Sequence, residues 1–131
     1  VCSSDLENFL ETILMLGKAK GNVRSIDIAT ALSFSKPSVS VAMKNLRENG
    51  YILMDKDGFI ALTEKGHEIA ETIYERHTLL SSFLMYLGVS KETATQDACR
   101  IEHVISPESF EALKQHVYSH KEIMDIKDVK I

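Results

Sequence analysis

A ten-residue stretch in the last third of the chain combines three residue types that bind metal ions. It reads DACRIEHVIS, from Asp97 to Ser106, and contains Cys99, Glu102 and His103. If the stretch is helical, these three side chains stand at i, i+3 and i+4 and project from one side of the helix. A thiolate, a carboxylate and an imidazole in that arrangement are able to hold a divalent transition metal. An ordinary solvated helix face could carry the same residues, so evidence from the rest of the chain is needed to distinguish a metal site from a solvated face.

Two other parts of the chain supply candidate ligands. Asn8 and Glu11 lie beside the apolar stripe of the first predicted helix, and His77 falls within the apolar stripe of a long helix. Carboxylates and imidazoles gathered where three helices pack would repel one another unless a cation balanced them, which favours a metal site. Taken singly, each residue also has a structural interpretation, as a core histidine, a small buried cysteine or a solvated glutamate.

Helical periodicity and capping signals place these residues on predicted helices. The expected boundaries are a first helix from Asp5, capped by Ser4, to near Gly17; a long helix from about Glu64 to Leu87, capped by Thr63; a helix capped by Ser90 that holds the motif; and a last helix from Ser106–Pro107 to about His116. The tail beyond it has no strong pattern.

Between the first helix and the long one, the sequence is typical of a winged helix-turn-helix. One short helix opens at Ser25, and the next lies in FSKPSVSVAMKNLRENG, with Ser35 as its N-cap. The segment YILMDKDGFIALT alternates apolar and polar residues around Asp57–Gly58, which indicates the β-hairpin of a wing. The predicted fold is mainly α with a small β-hairpin: an N-terminal winged helix-turn-helix over residues 1–63, followed by an all-helical domain over residues 64–131.

Charge is segregated along the chain. The whole chain carries −4, but the stretch 17–56 has seven basic and three acidic residues, hence +4, which leaves −8 for the remainder. A basic lobe suits contacts with DNA phosphates. The expected DNA-binding residues lie at the start of the second short helix and on the wing: Ser35, Lys36, Pro37, Ser38, Ser40, Val41, Lys44 and Lys56. That helix start holds no arginine, so we expect DNA shape and half-site spacing to matter more than direct base readout. A winged helix that binds protein is the alternative.

Bulk properties restrict the location of the protein. At 131 residues, the chain is long enough for one domain or two small lobes with a modest core. Two cysteines without paired spacing do not suggest a disulfide framework, and no apolar run approaches the length of a membrane span. We therefore expect a cytoplasmic protein without a membrane partner. Because the chain does not begin with methionine, no role is assigned to Cys2.

The motifs, in this order and spacing, resemble the metal-dependent transcriptional repressors of the DtxR/MntR family, the diphtheria toxin repressor and manganese transport regulator type. The resemblance covers about Leu6 to His116 and rests on ENFLETI, RSIDIATAL, KPSVSVAMKNLRENGYI, LTEKGHEIA, ERHTLL and DACRIEHVIS. It implies an N-terminal domain that binds double-stranded operator DNA and a helical domain that binds metal and forms a homodimer. Fe²⁺ or Mn²⁺ is the implied activator, with Zn²⁺ or Co²⁺ as substitutes in vitro. It also implies a short member without the C-terminal SH3-like domain.

By position, the resemblance implies metal ligands at Glu11, His77, Cys99, Glu102 and His103. Asn8 departs from the pattern, because manganese-type members have Asp there and iron-type members have Met; Asn8 would bind only through its amide oxygen, or not at all. Cys99 matches the iron-type branch, and a sulfur ligand shifts the preference toward Fe²⁺, Zn²⁺ or Co²⁺. Ser81 and Thr95 stand where the iron type has ancillary ligands, so that site is expected to be lost or rebuilt, although Glu11 and His77 would still be able to bridge two ions.

Two other interpretations stay open. In the first, the chain is a winged-helix regulator whose polar cluster is structural or whose Cys99 is a redox sensor, so that DNA binding would ignore chelators and respond to peroxide. In the second, it is a small metalloenzyme with Glu102 as general base. The sequence indicates no substrate cleft, and we therefore do not expect an enzyme.

Overall fold

The computed structural model describes residues 5–120, which are mainly helical with one small antiparallel sheet. In chain order the elements are α1 (Asp5–Lys20), α2 (Ser25–Leu32), α3 (Lys36–Glu48), β1 (Ile52–Met54), β2 (Ile60–Leu62), α4 (Glu64–Tyr86), α5 (Lys91–Ile101) and α6 (Pro107–Ser119). This confirms the predicted fold class. The chain divides into two compact units within α4, the first ending at Thr72 and the second beginning at Ile73. The predicted domain boundary after residue 63 stays a prediction. None of the helices in this part of the chain is long and apolar enough to cross a membrane.

The first unit has the element order and packing of a winged helix-turn-helix. α1 packs against α2 and β2, α2 against α3, and α3 against β1. Its largest fully buried apolar side chains are Leu10, Ile28, Val39, Met43 and Ile52. Burial of each side chain of this size contributes roughly 1.5 to 3 kcal/mol. The buried core of this unit therefore fixes the positions of α3 and the hairpin.

The first helix is longer than predicted. It continues through Gly17 to Lys20, and it ends where Gly21 adopts a φ of +88° and donates its N–H to Gly17 O at 2.9 Å. Glycine takes this left-handed conformation without strain, whereas Gly17 is an interior glycine that weakens a helix without stopping it. Lys18 and Lys20 in the last turn also favour the helix C-terminus. The predicted cap Ser4 lies outside the described residues.

Capping residues begin α3 as predicted. Ser35 is the N-cap, and its Oγ accepts a hydrogen bond from the Ser38 N–H at 3.3 Å. Pro37 lies in the first turn, where the missing N–H costs nothing. Gly50, with a φ of +80°, follows the end of the helix. The predicted second short helix and its N-cap are therefore confirmed.

The wing is a short hairpin with a longer turn than the two-residue type. Ile52 pairs with Leu62 and Met54 with Ile60, which leaves five residues between the strands. Within the turn, Gly58 has a φ of +85° and donates its N–H to Asp55 O at 3.0 Å, and Asp55 Oδ1 accepts from the Asp57 and Phe59 N–H groups at 2.9 Å. The glycine and the aspartate side chain together define the turn.

The start of α4 packs closely against the turn between α3 and β1. Thr63 Oγ1 accepts from the Gly66 N–H at 3.2 Å and donates to Gly50 O at 2.6 Å, so the predicted cap is confirmed and also joins two elements. A Cβ on Gly66 would lie 2.1 Å from Tyr51 O. Only glycine permits this approach of helix to backbone.

The second unit is helical. Leu79, Phe110 and Val117 form a buried apolar cluster, against which Phe83, Ile105 and Leu113 pack. Ser90 and Ser106 cap α5 and α6 as predicted, accepting from the Thr93 and Ser109 N–H groups. α6 extends to Ser119, beyond the end expected near His116. Leu87, predicted as the approximate end of the long helix, directly follows α4 and is exposed.

Candidate metal centre and nucleic-acid interface

All of the predicted DNA-binding side chains are exposed. They occupy the N-cap and first turns of α3 and the turn of the wing: Ser35, Lys36, Pro37, Ser38, Ser40, Val41, Lys44 and Lys56. Val41 is 61% exposed although it is a branched apolar residue. An apolar side chain displayed in this way suits contact with a thymine methyl group. Their roles in DNA binding stay predictions.

Hydrogen bonding separates the serines of this surface. Ser35 Oγ donates to Ser38 Oγ at 2.8 Å while accepting from the Ser38 N–H, so the Ser35 hydroxyl is used for capping. Ser38 accepts that hydrogen bond and keeps its own hydroxyl hydrogen to donate. We therefore assign Ser35 a structural part in this surface and leave Ser38 and Ser40 as the hydroxyls suited to DNA.

Arg24 is a cation of this unit that the predicted DNA-binding set omits. Its guanidinium lies 4.3 Å from the centre of the Phe59 ring, where a cation is attracted by the ring face. The contact joins the start of α2 to the wing and holds a positive charge beside it. Sequence periodicity gave no sign of this pairing, because Arg24 and Phe59 belong to different elements.

A buried carboxylate between two imidazoles forms the centre of the second unit. Glu102 is fully buried; its Oε2 lies 2.8 Å from His77 Nδ1, and its Oε1 lies 3.3 Å from His103 Nε2. The side chains of His77 and His103 are only 6% and 1% exposed. Burial of a carboxylate is costly unless positive charge or hydrogen bonds compensate it. The structure therefore brings together three of the predicted ligands.

The motif is only partly helical, and this corrects the prediction that its three ligands share one helix face. α5 ends at Ile101, Glu102 is the C-cap, and His103 lies in the following turn. Ile101 O accepts from the Val104 and Ile105 N–H groups at 3.0 and 2.9 Å, so the chain tightens here. The cap of α6 follows at Ser106, which leaves no room for α5 to continue.

One arginine spans the turn that carries two of the candidate ligands. Arg76, on α4, donates from one guanidinium nitrogen to Glu102 O at 3.1 Å and to Ile105 O at 3.2 Å. Carbonyls at the end of a helix have no partner within the helix, and a basic side chain can satisfy them. The prediction had no place for Arg76; the only sign in the sequence was its position beside His77 in ERHTLL.

The remaining predicted ligands differ in setting. Asn8 and Glu11 are buried on α1, which corrects the interpretation of Glu11 as a solvated glutamate. Cys99, one turn before Glu102 on α5, is partly buried. It is disulfide-bonded, and its partner falls outside the part of the chain that is described. The cysteine argument did not anticipate this bond, and a thiolate ligand at Cys99 requires the reduced form.

The side chains of this cluster suit a divalent transition ion. An imidazole nitrogen and a carboxylate oxygen are ligands for Mn²⁺, Fe²⁺ and Zn²⁺, and His77 and Glu102 belong to a group whose ligand atoms lie close enough to bind one ion. Ser81, expected in place of an ancillary carboxylate ligand, donates to His77 O at 2.7 Å. The Ser81 hydroxyl hydrogen is therefore donated to a backbone carbonyl of α4.

Comparison with known proteins gives consistent matches in both parts of the chain. Residues 2–60 match the family described as iron dependent repressor, N-terminal DNA binding domain, and residues 63–123 match the iron dependent repressor, metal binding and dimerisation domain. The transcriptional regulator MntR of Escherichia coli O6:H1 is 34% identical over 115 residues, 88% of this chain and 74% of that protein.

Two further matches extend this result. The HTH-type transcriptional regulator MntR of Bacillus subtilis is 34% identical over 126 residues, 95% of this chain and 89% of that protein. The solved structure of the manganese regulator SloR has a TM-score of 0.77 at 29% identity, and it covers 88% of this chain. This chain spans about half, 54%, of the length of SloR.

Proposed function

Because this chain belongs to the iron-dependent repressor family, we propose that it is a transcriptional repressor that binds operator DNA when a divalent metal ion is bound. The family combines a DNA-binding domain with a metal-binding and dimerisation domain, and both match here. The corresponding partners are double-stranded DNA and a second copy of the chain, and the expected location is the cytoplasm. A regulator of this kind is not an enzyme.

The observation that carries this proposal is the buried Glu102 carboxylate between His77 and His103. These residues would hold the ion, which supplies the positive charge that a buried carboxylate requires. The reduced thiolate of Cys99 would complete the ligands from the second unit. The nitrogen and oxygen ligands suit both Fe²⁺ and Mn²⁺, and the sulfur ligand shifts the preference toward Fe²⁺, Zn²⁺ or Co²⁺. We therefore propose Fe²⁺ or Mn²⁺ as the activator, with Zn²⁺ or Co²⁺ binding in vitro.

We further propose that α1 contributes to this site through Glu11, with Asn8 offering an amide oxygen. This part of the proposal rests on the family resemblance and on the burial of both side chains. An ion bound by Glu11 together with ligands of the second unit would link the DNA-binding domain to the dimer. That link would favour the spacing at which two recognition helices meet successive major grooves, about 34 Å apart. A coupling of about 1 to 3 kcal/mol is enough for a switch.

The test is one titration of operator binding. Fluorescence anisotropy of a labelled palindromic operator is followed with the reduced protein, first with chelator and then with Mn²⁺, anaerobic Fe²⁺ or Zn²⁺. We expect tight binding only with metal. Glu11→Ala and His103→Ala should each remove the stimulation by metal, whereas His67→Ala, which changes an exposed histidine of α4, should leave it intact.

The disulfide at Cys99 motivates a second candidate, regulation by oxidation instead of metal. In that case the same titration would show operator binding unchanged by chelator and altered by peroxide. Unchanged stimulation in both Glu11→Ala and His103→Ala would also contradict the metal proposal.

A further inference from the structure

We propose that Arg76 is a positioning residue for the metal centre, holding the turn that presents Glu102 and His103. The inference rests on the proposed metal site and adds a residue that is not itself a ligand. Arg76 and His77 are neighbours on α4, and they contact the two parts of the same residue. His77 is paired with the side chain of Glu102, whereas Arg76 binds its carbonyl. Backbone and side chain of one ligand are thus fixed from one helix.

The contacts of Arg76 extend across the whole turn. Its two acceptors, Glu102 O and Ile105 O, bracket His103 and Val104, so both ends of the turn are held by one guanidinium. Val104 is 75% exposed, so its side chain does not anchor the turn. Without Arg76, the carbonyl of the C-cap Glu102 and that of Ile105 would lose this partner, and His103 would have more freedom.

The guanidinium is itself fixed by the second unit. It lies 5.4 Å from the centre of the Phe110 ring, and Phe110 belongs to the buried cluster of α4 and α6. A planar guanidinium can serve two acceptors and stack on a ring at the same time, which an ammonium group cannot reproduce. Arg76 therefore connects the rigid apolar core to the ligand turn, and its geometry matters as well as its charge.

The test compares metal affinity across Arg76 variants of the full, reduced chain. Arg76→Met removes charge and donors, and Arg76→Lys keeps the charge but not the two-acceptor geometry. With Mn²⁺ titrated against a competing chelator, we expect Arg76→Met to weaken binding by roughly 10- to 100-fold and Arg76→Lys to recover only part of the loss, in the range known for residues that support metal ligands. Arg100→Met, which removes an exposed arginine of α5 that pairs with Asp97, should change affinity less than about twofold.

A spectroscopic measurement separates positioning from general stability. The visible absorption spectrum of the Co²⁺-loaded protein reports ligand geometry, and we expect it to change in Arg76→Met and Arg76→Lys but not in Arg100→Met. Folding of each chelator-treated variant is checked by circular dichroism; if Arg76→Met does not fold, Arg76→Lys and Arg76→Gln carry the comparison. Affinity and spectrum equal to those of the unmodified chain in the folded variants would overturn the inference. Absence of Mn²⁺ binding by the unmodified chain would instead overturn the proposed function.

Discussion

The two functional regions of this protein display their residues in opposite ways. On the first unit, the predicted DNA-binding side chains are exposed, and the helix that carries most of them begins at the capping residue Ser35. In the second unit, His77, Glu102 and His103 are buried against one another. DNA is a large polyanion that must be bound at an exposed surface, whereas a small divalent ion is held by buried ligands that replace its hydration shell. The contrast follows from what each region binds.

The two regions should also differ in how well they tolerate substitutions. An exposed cation on a DNA-binding surface contributes one of several similar phosphate contacts, so its loss should be graded. A buried ligand cluster acts as a unit, and removal of one member leaves the others with uncompensated charge. We therefore expect substitutions in the second unit to have larger functional effects than substitutions on the first.

The largest effect is expected from Glu102→Gln. This change keeps the shape of the side chain but removes the charge between the two imidazoles, and Mn²⁺ affinity should fall on the order of 1,000-fold, or about 4 kcal/mol. Isothermal titration calorimetry measures the loss. The matched control is Glu108→Gln, an exposed glutamate in the first turn of α6, for which affinity should be unchanged. Equal affinities in the two variants would refute the view that Glu102 is the central ligand.

The second largest effect is expected on the stability of the first unit. Its surface residues should tolerate substitution, but one close backbone contact should not. Gly66→Ala would place a Cβ 2.1 Å from Tyr51 O, and displacement of backbone from backbone should lower the free energy of unfolding by about 3 kcal/mol. Gly17→Ala, in the interior of α1 with no atom near the new Cβ, should raise it by about 1 kcal/mol. Urea denaturation compares them, and a Gly66→Ala protein as stable as the unmodified chain would contradict the described contact.

The elements of this fold could be predicted from the sequence because their signals are local. Ser35, Ser90 and Ser106 lie directly before the helices they cap, and the cap bonds span three residues. The error at the metal motif has a different origin. The end of α5 at Ile101 depends on a turn, on the start of α6 and on Arg76, 26 residues earlier in the chain than Glu102. Periodicity does not register such a contact.

The candidate site was predicted in residue type and in partial geometry. The spacing of Glu102 and His103 indicated ligands, and the apolar stripe around His77 indicated burial, which the structure has. The burial of Glu11 was left open, because Glu11 was a candidate ligand but a glutamate at the edge of the apolar face of its own helix is usually solvated. Whether such a glutamate is buried depends on contacts with residues far away in the chain, and the spacing of residues along one helix carries no information about those contacts.

A smaller and graded effect is expected on the DNA-binding surface. Lys44→Ala removes one exposed cation of α3, and if it contacts a phosphate, the slope of log affinity against log salt should decrease by about 0.9. The matched control is Lys91→Ala, an exposed lysine at the start of α5 in the second unit, which should leave the slope unchanged. Operator anisotropy at several salt concentrations measures both. A larger change from Lys91 than from Lys44 would reverse the assignment of the two regions.

The smallest effect concerns Asp27, an acidic residue within the basic unit. The Lys20 ammonium donates to its carboxylate at 2.6 Å and the Arg24 N–H at 2.8 Å, and these bonds hold the pKa of Asp27 below its usual value. A carboxyl whose pKa is lowered by folding stabilises the fold at pH values above its unfolded pKa, and the contribution is lost as the pH falls through the folded pKa. Asp27→Asn should therefore cost about 0.5 kcal/mol at pH 7, and less as the solution becomes more acidic than the ordinary pKa of an aspartate.

Lys20→Met tests the cause of that pH dependence. If the ion pair with Lys20 is the main reason for the low pKa, Lys20→Met and Asp27→Asn should have similar costs at pH 7, and the double variant should cost less than their sum. Urea denaturation of the four proteins at pH 7 and at pH 3 gives the coupling at each pH. Coupling that is as large at pH 3 as at pH 7 would show that the two side chains interact by packing, because the contribution of an ion pair declines once the pH falls below the pKa that its carboxyl has in the unfolded chain.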